Sequence, residues 1–358
     1  MYKPKFTITS TINNQIAQIE AIKQQIDRAN ILPIQEIALR YKAAIESVHS
    51  STSIEGNPLN SLQVQKALEG KMNAWEKHVK EVVNYKKAWD WVVKRSKNPS
   101  RITVKDILHL HSLVMKDLLP PEKTGQIRPG SIYIVDIVKN QDVLKYTGPS
   151  QKQVLKLIDK LLNWLSSNHD SLHPVILSGI LHYEFVSIHP FSDGNGRVTR
   201  LLVKLLLDSL SYEFRGCLVL DSYYWQNTPL YYKALNQASK YSLQTKSDLT
   251  PWLSYFITGF FAVATDLSHK IELIHHIGNV DTLRLTESEI ELIDYIHQFG
   301  DVGIQDAVSI THKPTRSTQR LLQNLTRKGL LIKIGLGKNT RYTISPASPP
   351  TPPLPHLS

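Results

Sequence analysis

Two apolar stretches with helical spacing, residues 175–188 and 197–210, flank one short polar run that contains two glycines. Apolar side chains at this spacing predict a helix, a glycine loop and a second helix. Helical spacing also occurs upstream, in residues 13–31, 34–50, 62–69, 75–94 and 103–119. The sequence therefore predicts a mainly α-helical fold that contains this helix–loop–helix segment.

The polar run between the two stretches combines groups that suit a nucleotide polyphosphate. It reads His189, Pro190, Phe191, Ser192, Asp193, Gly194, Asn195, Gly196, Arg197, Val198, Thr199 and Arg200. A glycine loop at a helix start presents backbone N–H groups and the positive end of the helix dipole to an anion. Arg197 and Arg200 share one face of that helix, so both can reach one phosphate chain.

Asp193 and His189 add the chemistry that an anion site alone lacks. Phosphate repels a carboxylate unless a cation lies between them, and Mg²⁺ takes one or two carboxylates together with phosphate oxygens. Histidine is the side chain best able to accept a hydroxyl proton near neutral pH. The run therefore predicts a site that binds Mg²⁺ and a nucleotide polyphosphate and reacts the nucleotide with a hydroxyl group.

Simpler interpretations of the run explain less of it. Asp-Gly-Asn-Gly alone is most often a turn. A calcium loop that starts at Asp193 fails because Arg197, Val198 and Lys204 stand where ligand oxygens, glycine and glutamate are needed. The chain has no P-loop and no H-E-x-x-H pattern, and its one cysteine, Cys217, excludes a Cys-rich zinc site.

The run resembles, position for position, the motif H-x-F-x-[DE]-G-N-G-R-x-x-R of the Fic family. Most members are protein adenylyltransferases, which move AMP from ATP onto a Ser, Thr or Tyr hydroxyl of a target protein. The resemblance implies that His189 is the general base, that Asp193 ligates Mg²⁺ and that a buried Phe191 holds the loop. It assigns ATP and phosphate binding to Gly194, Asn195, Gly196, Arg197 and Arg200. Some members transfer phosphate or phosphocholine instead, but the intact motif favours adenylylation.

A second segment, Ser51-Thr52-Ser53-Ile54-Glu55-Gly56, fits the family's inhibitory pattern [ST]-x-x-x-E-[GN]. Ser51 and Glu55 are one helical turn apart and share a face, and Gly56 is a plausible residue to end the helix. In the family this glutamate pairs with the second arginine of the motif, which here is Arg200. The resemblance implies an autoinhibited enzyme; the alternative is that Glu55 only caps or solvates a helix end.

A β-hairpin is predicted where the helical pattern breaks, in residues 125–149. Residues 131–138 are rich in β-formers, residues 139–142 predict a turn and residues 143–147 a returning strand. In Fic proteins a hairpin here, the flap, pairs with the target segment, and an arginine such as Arg128 precedes it. The resemblance assigns target binding to Ile132, Tyr133 and Ile134; the alternative is an ordinary surface hairpin.

Tyr231 and Tyr232 are similar to residues of the family's late helices. The resemblance places the pair near the adenine end of the ATP site. An apolar packing role for each ring stays open at this point.

The C-terminal segment 283–345 predicts a different module. A helix capped by Thr286 and two further helices, residues 304–310 and 314–328, precede strands 331–334 and 340–344 around a glycine turn. This order predicts a winged helix-turn-helix domain. No acid lies between its eight basic residues Lys313, Arg316, Arg320, Arg327, Lys328, Lys333, Lys338 and Arg341. Such a stripe suits DNA, through residues 313–341, while acids on the opening helix keep docking to a protein open.

These patterns predict four regions. They are an N-terminal helical region with the inhibitory helix (1–95), a Fic catalytic domain (96–275), the winged helix (283–345) and a Pro-rich disordered tail (346–358). A single cysteine and the lack of an apolar run of about 20 residues predict a cytoplasmic enzyme with no membrane partner. A net charge of +11 favours an acidic partner. Self-modification and a homodimer are both compatible with the sequence.

The alternative function is a DNA-binding transcriptional regulator in which a Fic-like domain only senses nucleotide. A pure sensor needs the arginines but not the base. The presence of both His189 and Asp193 therefore favours the enzyme.

Overall fold

The computed structural model describes residues 2–98, 100–138, 141–236, 238–277, 285–335, 337 and 340–345. The chain divides into two compact units, Met1–Ala29 with Lys42–Glu272 and Asn30–Tyr41 with Leu273–Ser358. The predicted N-terminal region 1–95 and the predicted catalytic domain 96–275 therefore do not form separate units. Within the predicted N-terminal region, residues 30–41 do not belong to the first unit, because they group with the C-terminal segment.

Helices make up most of the first unit. In chain order they are α1 (Ser10–Arg28), α2 (Pro33–Ile54), α3 (Ser61–Leu68), α4 (Lys77–Ser96), α5 (Val104–Val114), α6 (Gln151–Asn168), α7 (Pro174–Ile188), α8 (Asn195–Ser209), α9 (Leu220–Gln226), α10 (Thr228–Leu235), α11 (Tyr241–Gln244) and α12 (Thr250–Ile277). The first residues of α2 belong to the second unit, and α12 ends among residues of that unit.

Several helix ends differ from the predictions. The first helix begins at Ser10 rather than at residue 13, because the side chain of Thr9 accepts a hydrogen bond from the Ile12 N–H and caps it. The predicted helix 103–119 ends at Val114, and Asp117 just beyond it has a positive φ of 56°. The predicted helix 34–50 continues to Ile54, which places Ser51 inside the helix and Glu55 just past its end.

The two apolar helices of the sequence lie in the core of the first unit. Every residue of α7 from Val175 to Ile188 is buried except Val186, as expected of a helix that is apolar all round. α7 packs against α6 and α8, and α8 also packs against α4 and α5. The loop that joins α7 to α8 is therefore attached to the most buried part of this unit.

The predicted hairpin is present, and its second strand begins earlier than expected. Strand β1 (Tyr133–Val138) pairs antiparallel with β2 (Gln141–Thr147), and an irregularity follows Ile134. Gln141 and Asp142, predicted as part of the turn, instead pair with Val138 and Ile137. Residues 139–140 of that predicted turn lie outside the described residues. The strands thus extend further toward the tip than turn-forming residue types indicated.

The second unit combines three short helices with a small sheet. Its elements are α13 (Glu287–Phe299), β3 (Val302–Gly303), α14 (Ile304–Thr311), α15 (Thr315–Arg327), β4 (Leu331–Ile334) and β5 (Arg341–Ile344). The antiparallel sheet has the order β3-β5-β4, and Thr286 caps α13 as predicted. The short strand β3 was not predicted. The predicted tail, residues 346–358, lies outside the described residues.

The core of the second unit explains why residues 30–41 belong to it. Ile37 is buried there with Leu292, Val302, Leu322 and other apolar residues of the C-terminal segment. Ile34 packs against the same cluster. A segment that starts at residue 283 would therefore lack part of the core of this unit.

Within the part of the chain that the structure describes, no helix has the length and apolar character needed to cross a membrane.

Candidate active site

The loop between α7 and α8 lies between two residues with left-handed backbone. His189 ends α7 with φ 49° and ψ 62°, and Gly194 precedes α8 with φ 78°. α8 begins at Asn195, two residues before the predicted start at Arg197. A left-handed conformation at both ends turns the chain sharply, and glycine adopts it without steric cost. The chain therefore leaves one buried helix and enters the next within a few residues.

Asn195 and Phe191 brace this loop from within. The Asn195 side chain donates to the Phe191 carbonyl and accepts from the Phe191 N–H, both at 2.9 Å. Phe191 is fully buried, as the resemblance implied. Both polar atoms of the Asn195 side chain therefore bond the loop backbone. The backbone N–H of Asn195 can still contribute to an anion site.

His111 on α5 supports the loop from outside, and the sequence carried no signal for it. Its ring stacks on Phe191 with centroids 3.8 Å apart, and its Nδ1 accepts from the Gly125 N–H at 2.9 Å. The ring proton therefore lies on Nε2, which donates to the Asp193 carbonyl at 3.1 Å. Burial lowers the pKa of His111 to about 4, so the ring is neutral and keeps this arrangement near neutral pH.

His189 has the tautomer that a general base needs. Its Nδ1 lies 3.2 Å from the Val186 carbonyl, which only accepts hydrogen bonds, so Nδ1 carries the proton and Nε2 bears the lone pair. Burial lowers the pKa of His189, and the positive charge of Arg128 lowers it further. The carboxylates of Glu55 and Asp193 act in the opposite direction but do not reverse the shift. The ring is therefore neutral, and Nε2 can accept a proton, near neutral pH.

Arg128 connects the loop between α7 and α8 to both ends of the hairpin. Its guanidinium donates to the carbonyls of His189 at 2.9 Å, Pro149 at 2.5 Å and Gly130. Its backbone N–H donates to the Pro190 carbonyl at 2.9 Å. The sequence predicted only that Arg128 precedes the hairpin. In the structure Arg128 is buried, and its hydrogen bonds fix the hairpin relative to His189.

The hairpin residues assigned to target binding face solvent in part. Tyr133 is 59% exposed, Ile134 is 37% exposed and Ile132 is half-buried. On the returning strand, the Tyr146 hydroxyl donates to the Ser187 carbonyl of α7 at 2.6 Å. The hairpin is thus anchored at its base while apolar side chains on β1 remain accessible.

The start of α8 has the features of an anion site. The first backbone bond of the helix runs from the Val198 N–H to the Gly194 carbonyl, so the preceding N–H groups have no partner within the helix. A Cβ atom on Gly196 would lie 2.2 Å from Oε1 of Glu55 and 3.0 Å from Nη1 of Arg200. The carboxylate of Glu55 therefore lies directly against the helix start, in the space that a side chain at position 196 would occupy.

Arg200 binds Ser51 and Glu55, the two residues of the second motif. Its Nε donates to the Ser51 hydroxyl at 2.7 Å, and its Nη2 donates to the Ser51 carbonyl and to Oε1 of Glu55, both at 2.9 Å. Arg200 is buried, and its Nη1 has no hydrogen-bond partner among the described residues. An unpartnered buried N–H group is costly, so Nη1 marks a position where an added acceptor would be stabilised.

A second carboxylate, Asp221 of α9, lies near Arg200 and was missed in the sequence. Its Oδ2 accepts from the hydroxyls of Ser47 at 2.7 Å and Tyr85 at 3.2 Å, and its Oδ1 lies 4.0 Å from Nε of Arg200. Burial raises the pKa of Asp221, while Arg200 and both hydroxyls oppose that rise. Arg200 is thus held by carboxylates from two different helical regions.

Asp193 and Arg197 form an ion pair at the mouth of the loop. Nη2 of Arg197 lies 3.1 Å from Oδ1 of Asp193, and Arg197 is buried whereas Asp193 is exposed. Nε of Arg197 has no hydrogen-bond partner within the described part of the chain. The described residues contain no cluster of three or more metal-ligating side chains. An exposed single carboxylate fits Mg²⁺ that takes its other ligands from phosphate and water.

The two tyrosines on α10 differ in how far they are buried. Tyr231 is buried, its hydroxyl lies 2.9 Å from Nε2 of His182, and its ring stacks on Tyr224. Tyr232 is 41% exposed, and burial together with the charge of Glu55 raises its pKa to about 12. Both tyrosines therefore lie near Glu55 and Arg200, Tyr231 as a buried ring and Tyr232 as a partly exposed one.

Known proteins resemble this chain in sequence and in fold. Residues 101–207 match the Fic/DOC family model. Two proteins named Protein adenylyltransferase Fic are similar: one from Drosophila erecta is 31% identical over 54% of this chain, and one from Drosophila virilis is 33% identical over 48%. The chain spans only 39% and 34% of the length of these relatives.

A crystal structure of a Fic family protein from Desulfovibrio desulfuricans shares the fold. It superposes with a TM-score of 0.63 at 24% sequence identity and covers 98% of this chain and 100% of its own. The chain therefore contains a Fic domain with a mainly helical Fic-type fold, in agreement with its twelve-residue motif.

Proposed function

We propose that this chain is an autoinhibited protein adenylyltransferase that moves AMP from ATP to a Ser, Thr or Tyr hydroxyl of a target protein. The observation that carries the proposal is the shared site of His189, Arg200 and Glu55 around the loop and the start of α8. The names of the similar Drosophila proteins agree with this reaction.

In this proposal His189 acts on the hydroxyl of the target. Nε2 accepts the hydroxyl proton while the oxygen forms a bond to the α-phosphorus of ATP. The bond from that phosphorus to the oxygen bridging the α- and β-phosphates breaks, and pyrophosphate leaves. Arg128 supports the step by fixing the backbone of His189 relative to the hairpin.

The start of α8 would hold the phosphates. Its backbone N–H groups would donate to phosphate oxygens, as would Nη1 of Arg200 and Nε of Arg197, which have no hydrogen-bond partner among the described residues. Mg²⁺, held by Asp193, would neutralise phosphate charge when bound. The exposed Tyr232 offers a ring surface to the nucleotide, and its neighbour Tyr231 supports it from the core.

Glu55 would inhibit by occupying the place of a phosphate. Its carboxylate lies against Gly196 and bonds Arg200, so it takes up donors that would otherwise bind an anionic ligand and repels that ligand's charge. A charge-assisted hydrogen bond contributes about 1.5–3 kcal/mol. A preference of about 2.7 kcal/mol for the blocked arrangement leaves about 1% of molecules competent.

The hairpin would present the target. Addition of an extended segment to a sheet edge supplies backbone hydrogen bonds, while the exposed Tyr133 and Ile134 supply apolar contacts. Because Arg128 fixes the hairpin to the carbonyl of His189, a segment bound there would hold its hydroxyl near Nε2.

Incubation with Mg²⁺ and ATP labelled in the α-phosphate tests the reaction type. Label that remains on denatured protein supports transfer of AMP. Label that appears only when ATP carries it in the γ-phosphate would instead show phosphate transfer and contradict the proposal.

The pH dependence of transfer should report the lowered pKa of His189. The neutral ring is the base, so activity is lost as pH falls through this pKa and is constant above it. Since burial lowers the pKa, we expect the acid limb of kcat/KM below the ordinary histidine value of about 6.5. A pH profile of the Glu55→Gly variant measures this limb, and a midpoint above pH about 7 would contradict the assignment.

Asp221→Asn should destabilise the fold more when Glu55 is also absent. Either carboxylate can balance the buried charge of Arg200, but removal of both leaves that charge unpaired. We expect a loss of about 1–3 kcal/mol in wild type and about 3–5 kcal/mol in Glu55→Gly. Urea unfolding of the four proteins of this cycle gives both values, and equal losses would show that Asp221 does not share Arg200 with Glu55.

A further inference from the structure

In the second unit, α14 and α15 form a helix-turn-helix. α14 ends at Thr311 and α15 begins at Thr315, so three residues join them, and the first, His312, has a left-handed φ of 51°. Thr318, Leu322 and Leu325 face the core from α15. The remaining sides of α15 are therefore free to face solvent, and its length of about 20 Å suits a groove of duplex DNA.

The solvent side of α15 carries hydrogen-bonding and positive side chains. Its exposed residues include Arg316, Ser317, Gln319, Arg320, Gln323 and Arg327. Arginine presents two donors, and glutamine a donor and an acceptor, to base edges in the major groove, and arginine also binds phosphate. No apolar residue of α15 is fully exposed, whereas the centre of a protein–protein interface is usually apolar. The chemistry of this face therefore favours nucleic acid over a protein partner.

Three acids of this unit, Glu289, Asp301 and Asp306, are paired with basic side chains. No Asp or Glu follows Asp306 in the chain. Glu289 is buried and accepts from Lys328 at 2.9 Å, while Asp301 and Asp306 pair with Arg341. Lys313 before α15 and Lys333 on β4 are exposed, and Lys338 lies outside the described residues. The exposed arginines of α15 therefore have no acidic neighbour on their own helix.

We propose that the solvent side of α15 binds duplex DNA in the major groove. Arg316, Gln319 and Arg320 lie on the first turns of the helix, the part of a recognition helix that contacts base edges. Lys313 and Lys333 contact the phosphate backbone. This activity is separate from the proposed transfer of AMP, because none of these residues belongs to the site around His189.

Titration of the full chain with a labelled duplex tests this proposal. The full chain is needed because Ile34 and Ile37 complete the core of this unit. Fluorescence anisotropy with a mixed-sequence duplex of about 30 base pairs should show binding at about 50 mM salt that falls steeply toward about 200 mM. Arg316→Ala/Arg320→Ala should weaken binding at least about tenfold and reduce the slope of log K against log salt by about 1–2.

A matched pair of substitutions distinguishes binding by this surface from binding that depends only on the net positive charge of the protein. Lys152→Ala/Lys156→Ala removes the same charge from exposed positions on α6 and should change affinity by less than about twofold. Equal weakening by both pairs would overturn the assignment to α15. So would a flat titration at low salt, or displacement of the duplex by polyglutamate at equal charge concentration, which would point to an acidic protein instead.

Discussion

His189→Ala should abolish transfer of AMP to protein while binding of ATP changes little. Loss of a general base lowers a rate by about 10²–10⁴-fold, which takes slow labelling below detection. The donors assigned to the phosphates lie on α8 and its two arginines, and the loop is held by Asn195, His111 and the bond from Arg128 to the backbone of residue 189. None of these contacts uses the imidazole ring of His189.

The experiment is best made in the Glu55→Gly background, where transfer is expected to be strong. Label from α-labelled ATP measures transfer, and calorimetry measures binding of ATP. His189→Asn is the matched control, since residue 189 has a left-handed backbone that asparagine tolerates better than alanine. Both variants should be inactive. Transfer that persists in either would remove His189 as the base, and loss of ATP binding in Ala but not in Asn would indicate a distorted loop.

Glu55→Gly should raise self-labelling by about tenfold or more. The change removes a hydrogen bond to Arg200 of about 1.5–3 kcal/mol, and about 1.4 kcal/mol corresponds to a factor of ten. It also clears the carboxylate from Gly196 at the start of α8. α2 already ends at Ile54, so glycine at position 55 lies beyond the helix and should not unfold it.

Glu69→Gly provides a control of the same kind. Glu69 also directly follows the last residue of a helix, α3, and also precedes a glycine, but it pairs with Lys71 rather than with Arg200. Labelling should stay at the wild-type level in this variant. If wild type and Glu55→Gly label equally, Glu55 does not inhibit, although the transferase proposal stands. If neither variant is labelled from α- or γ-labelled ATP with a lysate as target source, the transferase proposal itself fails.

Local pattern predicted the helical fold and the motif loop, but not all of their boundaries. The predicted start of α8 is late because Asn195 and Gly196 carry no apolar side chain that could register in the helical spacing. Gln141 and Asp142 have turn-forming character, yet the cross-strand ladder of the hairpin includes them. In both cases the helix or strand includes residues whose side chains are typical of a loop or turn, because backbone hydrogen bonds and not side-chain type set its end.

The grouping of residues 30–41 could not be read from the sequence. α2 has one continuous helical pattern, and nothing in its spacing distinguishes Ile37, in the core of the second unit, from Val48, in the first. Helical spacing shows which face of a helix is buried but not what covers that face. The partner of a buried face is decided by contacts between residues far apart in the chain.

The sequence by itself determined the Fic motif from His189 to Arg200, the Ser51–Glu55 spacing of one helical turn, and the hairpin that precedes the motif. These features depend on neighbours within about two helical turns, where residue type and spacing carry the information. Only the tertiary structure decided that Glu55 lies against Gly196, that Asp221 lies near Arg200, and that His111 stacks on Phe191. These pairs come from helices whose spacing patterns are independent, and only packing of the core brings them together.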